Sequence, residues 1–257
     1  MERVMKAFGR AVLSQLHPKM LALLLLPFVV SILFWIATAW LVWTPLTDWL
    51  GVALFDGWFG RAYTWAEGIG LGGIRDWIPA LIALLLVVPA AWVTATILVA
   101  VFAMPLVMRF LIARNYPGIA ALGTMSPVPG VLNAIVALLV FAIGYLVSLP
   151  LWLIPPLALI VPWLWWSWLT ARVMRLDSLV EYAGADERRL LVKENRREYL
   201  LLGMVVSALN YVPPLFLVTP VLSALAYGHY SLALLRDRRL QSPSIGDARA
   251  DKRAIKS

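Results

Sequence analysis

Two stretches of this chain repeat one pattern. Ile154 to Pro162 reads IPPLALIVP and Val212 to Pro220 reads VPPLFLVTP, both of the form [IV]-P-P-L-x-L-x-x-P. A double proline inside an apolar run removes backbone donors and clashes with the preceding turn, so it divides a helix into two pieces. Proline is also favoured at the first position of a new helix. Pro155, Pro156, Pro213 and Pro214 are therefore read as hairpin breaks, with Pro156 and Pro214 starting the second piece of each hairpin. Helix ends created there sit at membrane depth, where unpaired N–H groups and a partial positive charge hold anions in several broken-helix transporters. Turning the chain is the other sufficient reason for these prolines. The pattern leaves turning alone and turning with anion contact both open.

A second place for anion chemistry follows Pro18, which is expected to end an amphipathic helix. The N–H groups of Lys19, Met20 and Leu21, opening the first apolar run, are expected to lack intrahelical acceptors and to face the cytoplasmic interface. Lys19 adds the full charge of that turn. Arg109, Arg114 and Arg172 are further cationic groups at the mouths of apolar runs.

Other chemistry has little to work with. Catalysis needs positioned acids, bases, nucleophiles or metals, and His229 is the ionisable side chain inside the apolar runs. No catalytic residue, cofactor or metal site is expected: there is no G-x-x-x-x-G-K-[ST], and His17 and His229 do not make a metal set. Gly68, Gly70 and Gly73 spell G-x-G-x-x-G, but a dinucleotide site needs a preceding strand and an acid about 20 residues on, where Val93 stands. An enzyme is not expected, and neither is a proton relay. His229, Asn133 and Asn210 are read as hydrogen-bonded packing groups.

The elements that would position these residues follow from composition. A chain of 257 residues with 62% hydrophobic and 14% charged content is too apolar for a soluble domain. Residues 20–47, 77–108, 115–171 and 200–235 contain no Asp, Glu, Lys or Arg, and each exceeds the roughly 18 apolar residues of a spanning helix. The net charge of +8 belongs to topology and anionic lipid, and no nucleic-acid partner is expected. The absence of cysteine excludes a disulfide framework.

The expected fold is an all-α integral membrane protein with a single membrane domain over 1–236. Residues 1–19 form an amphipathic interfacial helix bearing Val4, Phe8, Val12 and Leu16. Residues 20–43 span, 44–77 lie along the extracytoplasmic surface, and 78–108 span back. Residues 129–171 form the first Pro-broken hairpin, 172–199 a cytoplasmic helical connection, and 200–235 the second hairpin. With 36 residues, the second hairpin is too short to cross twice, so it is read as half-crossing. The first is a few residues longer, and full crossing stays open for it. Residues 237–257 are expected to be a basic, disordered cytoplasmic tail.

Three stretches resemble a known family: Leu16-His17-Pro18 followed by LALLLLPFVVSILF, the Phe102-Ala103-Met104-Pro105-Leu106 segment, and RREYLLLGMVVSALNYVPPLFLVTPV. They resemble the CysZ-type sulfate permeases, a family that includes the etoposide-induced membrane proteins, over about residues 5 to 236. The resemblance implies two long spanning helices, two half-crossing hairpins, cytoplasmic termini, a homo-oligomer, and passage of sulfate across the bacterial inner membrane. In permeases of this kind the proline matching Pro18 is followed by Gly-Leu-Arg, whose amides and arginine contact sulfate. Lys19, Met20 and Leu21 stand in those places here, so an ammonium point charge replaces a bidentate guanidinium. The function expected is a permease or channel for a small solute, an oxyanion such as sulfate. The competing reading is a non-transporting membrane scaffold or envelope-stress protein.

Overall fold

The first helix, α1 (Glu2–Gln15), stops before Pro18, and that proline opens the next helix, α2 (Pro18–Gly51). A residue with no N–H and a fixed φ suits a first helical position, so the break falls on Leu16 and His17 instead of on the proline. The structure is a computed structural model that describes residues 1–123, 128–213 and 215–241. α2 continues through Pro27 and Pro45 into a π-helical stretch, Val52–Trp58, followed by α3 (Gly60–Gly68) and α4 (Ile74–Asn115). The segment expected to lie along the surface over 44–77 is thus helical in most of its length. Helix α3, not a strand, precedes Gly70 and Gly73, and Gly70 takes φ +87° in the turn that follows.

Two hairpins come next. The first pairs α5 (Val128–Val147) with α6 (Pro155–Asp177); the second, after α7 (Ala185–Glu194), pairs α8 (Arg196–Ala208) with α9 (Thr219–Gln241). No strand occurs among the described residues. The protein is an all-α membrane protein, with helices long and apolar enough to cross a bilayer within 18–57, 77–115, 130–147 and 155–177. Both helices of the first hairpin therefore have the length to cross. The 13 residues of α8 reach only about 20 Å, against a hydrocarbon core of roughly 30 Å.

The chain forms two compact units. In the unit of residues 22–101, α2 and α4 run antiparallel, with Gly51 facing Pro79. Ser31 Oγ donates to the Ala91 carbonyl at 2.6 Å, and Trp35 Nε1 to Thr94 Oγ1 at 3.0 Å. Thr94 also donates back to Ala90 O at 2.8 Å, the ordinary way a membrane helix satisfies a hydroxyl. In the first turn of α4, Arg75 donates to both carboxylate oxygens of Asp56 in the π-helical stretch, at 2.9 and 3.0 Å.

In the other unit, residues 1–21 and 102 onward, α9 is the core. Every residue from Val221 to Leu232 is buried, with α1, α6 and α8 packed around it. Helix α1 does not seat the series read from its sequence: Val4 is buried but Val12 and Leu16 are exposed, and the face against α9 is Val4, Ala7, Ala11 and Gln15. Two alanines let the backbones approach, so the larger apolar side chains turn outward. α6 and α8 also meet closely, because a β-carbon on Gly203 would lie 2.6 Å from the Ser167 carbonyl oxygen and 2.9 Å from Tyr227 Oη. Helix α9 runs to Gln241, and Arg239 there donates to Tyr182 O (2.8 Å), Ala120 O (2.9 Å) and Glu187 (3.0 and 3.1 Å). The remainder of the expected tail, 242–257, lies outside the described residues.

Two outcomes are expected. Gly203→Ala gains helix propensity of about 1 kcal/mol but forces α6 and α8 apart at a cost of roughly 1–3 kcal/mol, so the apparent Tm in detergent, followed by tryptophan fluorescence, falls. Gly9→Ala on α1 meets nothing within 4 Å and leaves that temperature unchanged or higher. Second, a single cysteine at Leu215, near the tip of the second hairpin, resists an impermeant thiol reagent added from the periplasmic side. Strong labelling from that side would show that the hairpin crosses.

Candidate functional site

At the start of α2 one residue takes all the amides in question. The His17 carbonyl accepts from Met20 N at 2.8 Å and from Leu21 N at 3.1 Å, while His17 Nδ1 accepts from Lys19 N at 3.2 Å. His17 is thus a helix cap, and with Nδ1 accepting, the ring proton of the neutral imidazole sits on Nε2. The ring rests against Phe110, centroids 5.0 Å apart. The expectation that the amides of residues 19–21 lack acceptors is corrected by this cap. What the turn offers an anion is the exposed Lys19 side chain, which forms no ion pair among the described residues. Met20 is buried, and Leu21 shows apolar surface.

The repeated proline pattern makes the same turn twice. Ile154 (φ −96°, ψ 112°) and Val212 (φ −103°, ψ 112°) are both extended, and each follows a 3₁₀ turn, Leu149–Leu153 or Leu209–Tyr211. Each carbonyl accepts from the leucine three residues on, Leu157 N or Leu215 N, at 2.9 Å. From there the copies part. Pro155 and Pro156 occupy the first turn of α6, and Ala158 N joins Leu157 N on the Ile154 carbonyl at 3.1 Å. Two prolines without N–H groups and two amides already engaged leave that first turn no donor for an anion, so here the prolines turn the chain.

Pro213 lies in the second turn, whereas Pro214 lies outside the described residues. Helix α9 begins not at the double proline but at Thr219. The Leu215 carbonyl accepts Val218 N (3.0 Å), Thr219 N (3.1 Å) and Thr219 Oγ1 (2.9 Å), and so ends the turn there.

Side chains join the hairpins and gather charge at their base. Tyr211 Oη donates to Leu159 O at 3.3 Å, and Trp163 Nε1 to Met204 O at 3.1 Å. Arg172 and Arg175 share a face of α6 at i, i+3, and pairing α6 with α8 brings Arg196 within electrostatic reach of Arg175. Arg172 lies over the Trp168 ring at 5.5 Å, and its buried Nε has no hydrogen-bond partner among the described residues. Arg109 and Arg114 are exposed. Arg175 and Arg196 are legible in sequence only as flanks of apolar runs; their convergence depends on which helices pair.

His229 is buried and fully engaged by residues that sequence reasoning did not connect to it. Its Nε2 lies 2.9 Å from Ser14 Oγ, and its Nδ1 3.3 Å from Tyr116 Oη. Tyr116 also donates to the His229 carbonyl at 3.0 Å; burial pushes its phenol above the ordinary range, which keeps the hydroxyl protonated and able to donate. Among the described residues no group of His, Asp or Glu is arranged to hold a metal ion.

The family described as sulfate transporter CysZ/etoposide-induced protein 2.4 has a model that matches residues 7–220. No curated protein and no solved structure matches the chain.

The cap at His17 yields a direct expectation. His17→Ala removes the acceptor of the Lys19 amide and lowers stability by about 1 kcal/mol, and His17→Asn, whose side-chain oxygen reaches the same amide, retains most of it. Chemical denaturation in detergent with helicity as readout checks both; equal losses would show that the ring acts through Phe110 and not as a cap.

Proposed function

The chain belongs to the sulfate transporter CysZ/etoposide-induced protein 2.4 family, and on that premise we propose that it is a permease or channel of the bacterial inner membrane for a small oxyanion, sulfate foremost. In this reading both termini are cytoplasmic, the protein self-associates, and it performs no covalent chemistry. The observation that carries the reading is Lys19, an exposed ammonium without a carboxylate partner among the described residues, on the first turn of a 34-residue apolar helix. The positive end of that helix adds to the charge. Arg172, Arg175 and Arg196 would draw anions toward the base of the hairpins. Self-association is supported by α5, where only 6% of the stretch Gly130–Val147 is buried within one chain, leaving a broad apolar surface for lipid or a second copy.

A lone ammonium binds by charge more than by shape, so sulfate, sulfite and phosphate should be distinguished weakly. Lys19→Ala is expected to reduce oxyanion uptake into liposomes about tenfold, the lower end for a charge-assisted hydrogen bond because this side chain is solvated. Lys19→Gly combined with Leu21→Arg is expected to shift preference toward sulfate. Radiolabelled uptake with sulfate, sulfite, phosphate and chloride reads both. If the natural protein moves none of them and the double variant does no better, the permease reading falls and a scaffold role replaces it.

A further inference from the structure

Successive residues on a helix are about 100° apart, and α1 read this way carries three arcs. One, with Val4, Ala7 and Ala11, is buried against α9. A second arc, roughly a third of a turn round from it, is apolar yet exposed: Met5 is 54% exposed and Val12 39%, continued by the cap residue Leu16 at 67%. The remaining third carries Arg3, Lys6 and Arg10. That basic arc forms one wall of a cleft of about 290 Å³, and Arg236 of α9 stands in the other wall. Arg3, Lys6 and Arg10 form no ion pair among the described residues. Arg236 lies over the Tyr116 ring at 5.7 Å and 3.6 Å from Asp237. Glu2 and Asp237 are the acids of the cleft, so four cations face two carboxylates.

Only Leu16 and His17 separate α1 from Pro18, where the long apolar helix begins. The cleft is therefore tethered within two residues of the point where the apolar run begins. A free anion would be met by the cations alone, and the exposed apolar arc beside them would have no role. A phosphate carrying acyl chains uses both: the phosphate faces the basic arc and Arg236, and the chains run along Met5, Val12 and Leu16. We propose that the cleft between α1 and α9 is a binding site for the phosphate of an anionic phospholipid, which clamps α1 onto α9. This inference uses neither Lys19 nor the hairpins, so it stands or falls separately from oxyanion transport.

The test is native mass spectrometry and thermal unfolding of the full chain in mild detergent with added phosphatidylglycerol, cardiolipin, phosphatidylcholine or inorganic phosphate. Anionic lipid should remain bound and raise the Tm, while phosphatidylcholine and millimolar inorganic phosphate should not. Combining Arg3→Gln, Lys6→Gln and Arg10→Gln should weaken retention of the anionic lipid about a hundredfold. Removing the same charge elsewhere, by Arg189→Gln, Lys193→Gln and Arg197→Gln, should leave it unchanged. Equal retention of phosphatidylcholine, equal stabilisation by inorganic phosphate, or equal loss in the two triple variants would each overturn the proposal. The selectivity of the natural protein decides the matter even if the first triple variant does not fold.

Discussion

From Val221 to Leu232 helix α9 is buried at every residue, yet this stretch carries Ser223, Tyr227, His229, Tyr230 and Ser231. A buried polar group left without a partner costs roughly 1–3 kcal/mol, so each of these must be answered; Ser223 donates back to Thr219 O at 2.6 Å within the helix, and the other four bond to neighbouring segments. Tyr227 donates to the Tyr199 carbonyl on α8 at 2.9 Å, and Tyr230 donates to Glu198 on the same helix. Ser231 meets Ser178, just past α6, at 2.7 Å and the Tyr199 hydroxyl at 3.0 Å. His229 engages Ser14 on α1 and Tyr116 just past α4. A slip of one residue along α9 rotates Tyr227, His229, Tyr230 and Ser231 by about 100° and breaks their interhelical bonds together. The polar series fixes the register of the bundle, which apolar contact alone would leave loose.

The same intolerance of unpaired groups shapes the helix starts. At α2 the acceptors come from His17, and at α6 from the Ile154 carbonyl behind two prolines that have no N–H to satisfy. Under the proposed transport role, a chain that has closed these starts on itself would attract an anion through side chains. Turn hydrogen bonds likewise close the backbone at the tip of the second hairpin, where the exposed Leu215 supplies its carbonyl to Val218 N at 3.0 Å and Thr219 N at 3.1 Å.

Much of this was legible beforehand, for reasons that also mark the limit. Charge-free runs identify helices in a membrane because nothing else satisfies the backbone there, and the double prolines locate both hairpin tips. Hydropathy does not distinguish a residue facing lipid from one facing protein, so the burial of α9 was hidden inside the run 200–235. The signal was its polar side chains: Ser223, Tyr227, Tyr230 and Ser231 recur at intervals that keep them on neighbouring faces, where lipid would not tolerate them. The contact face of α1 was missed because alanines carry little weight in an apolar pattern, although they permit the closest packing. The cap at α2 was missed because histidine is not among the usual capping residues.

Taken with the proposed transport role, the closed helix starts and the lysine at position 19 point in one direction. Backbone amides and an arginine fork hold a tetrahedral oxyanion by several directed bonds, which favours tight and selective binding. A single flexible ammonium offers attraction without that geometry, and binding that is weak enough to release is what conduction requires. Arg172 reinforces the contrast: held over Trp168, with its Nε buried, it contributes to the field more than to a coordination shell. A protein arranged in this way would gather anions electrostatically and hold none of them long, which is the behaviour of a channel more than of a high-affinity carrier.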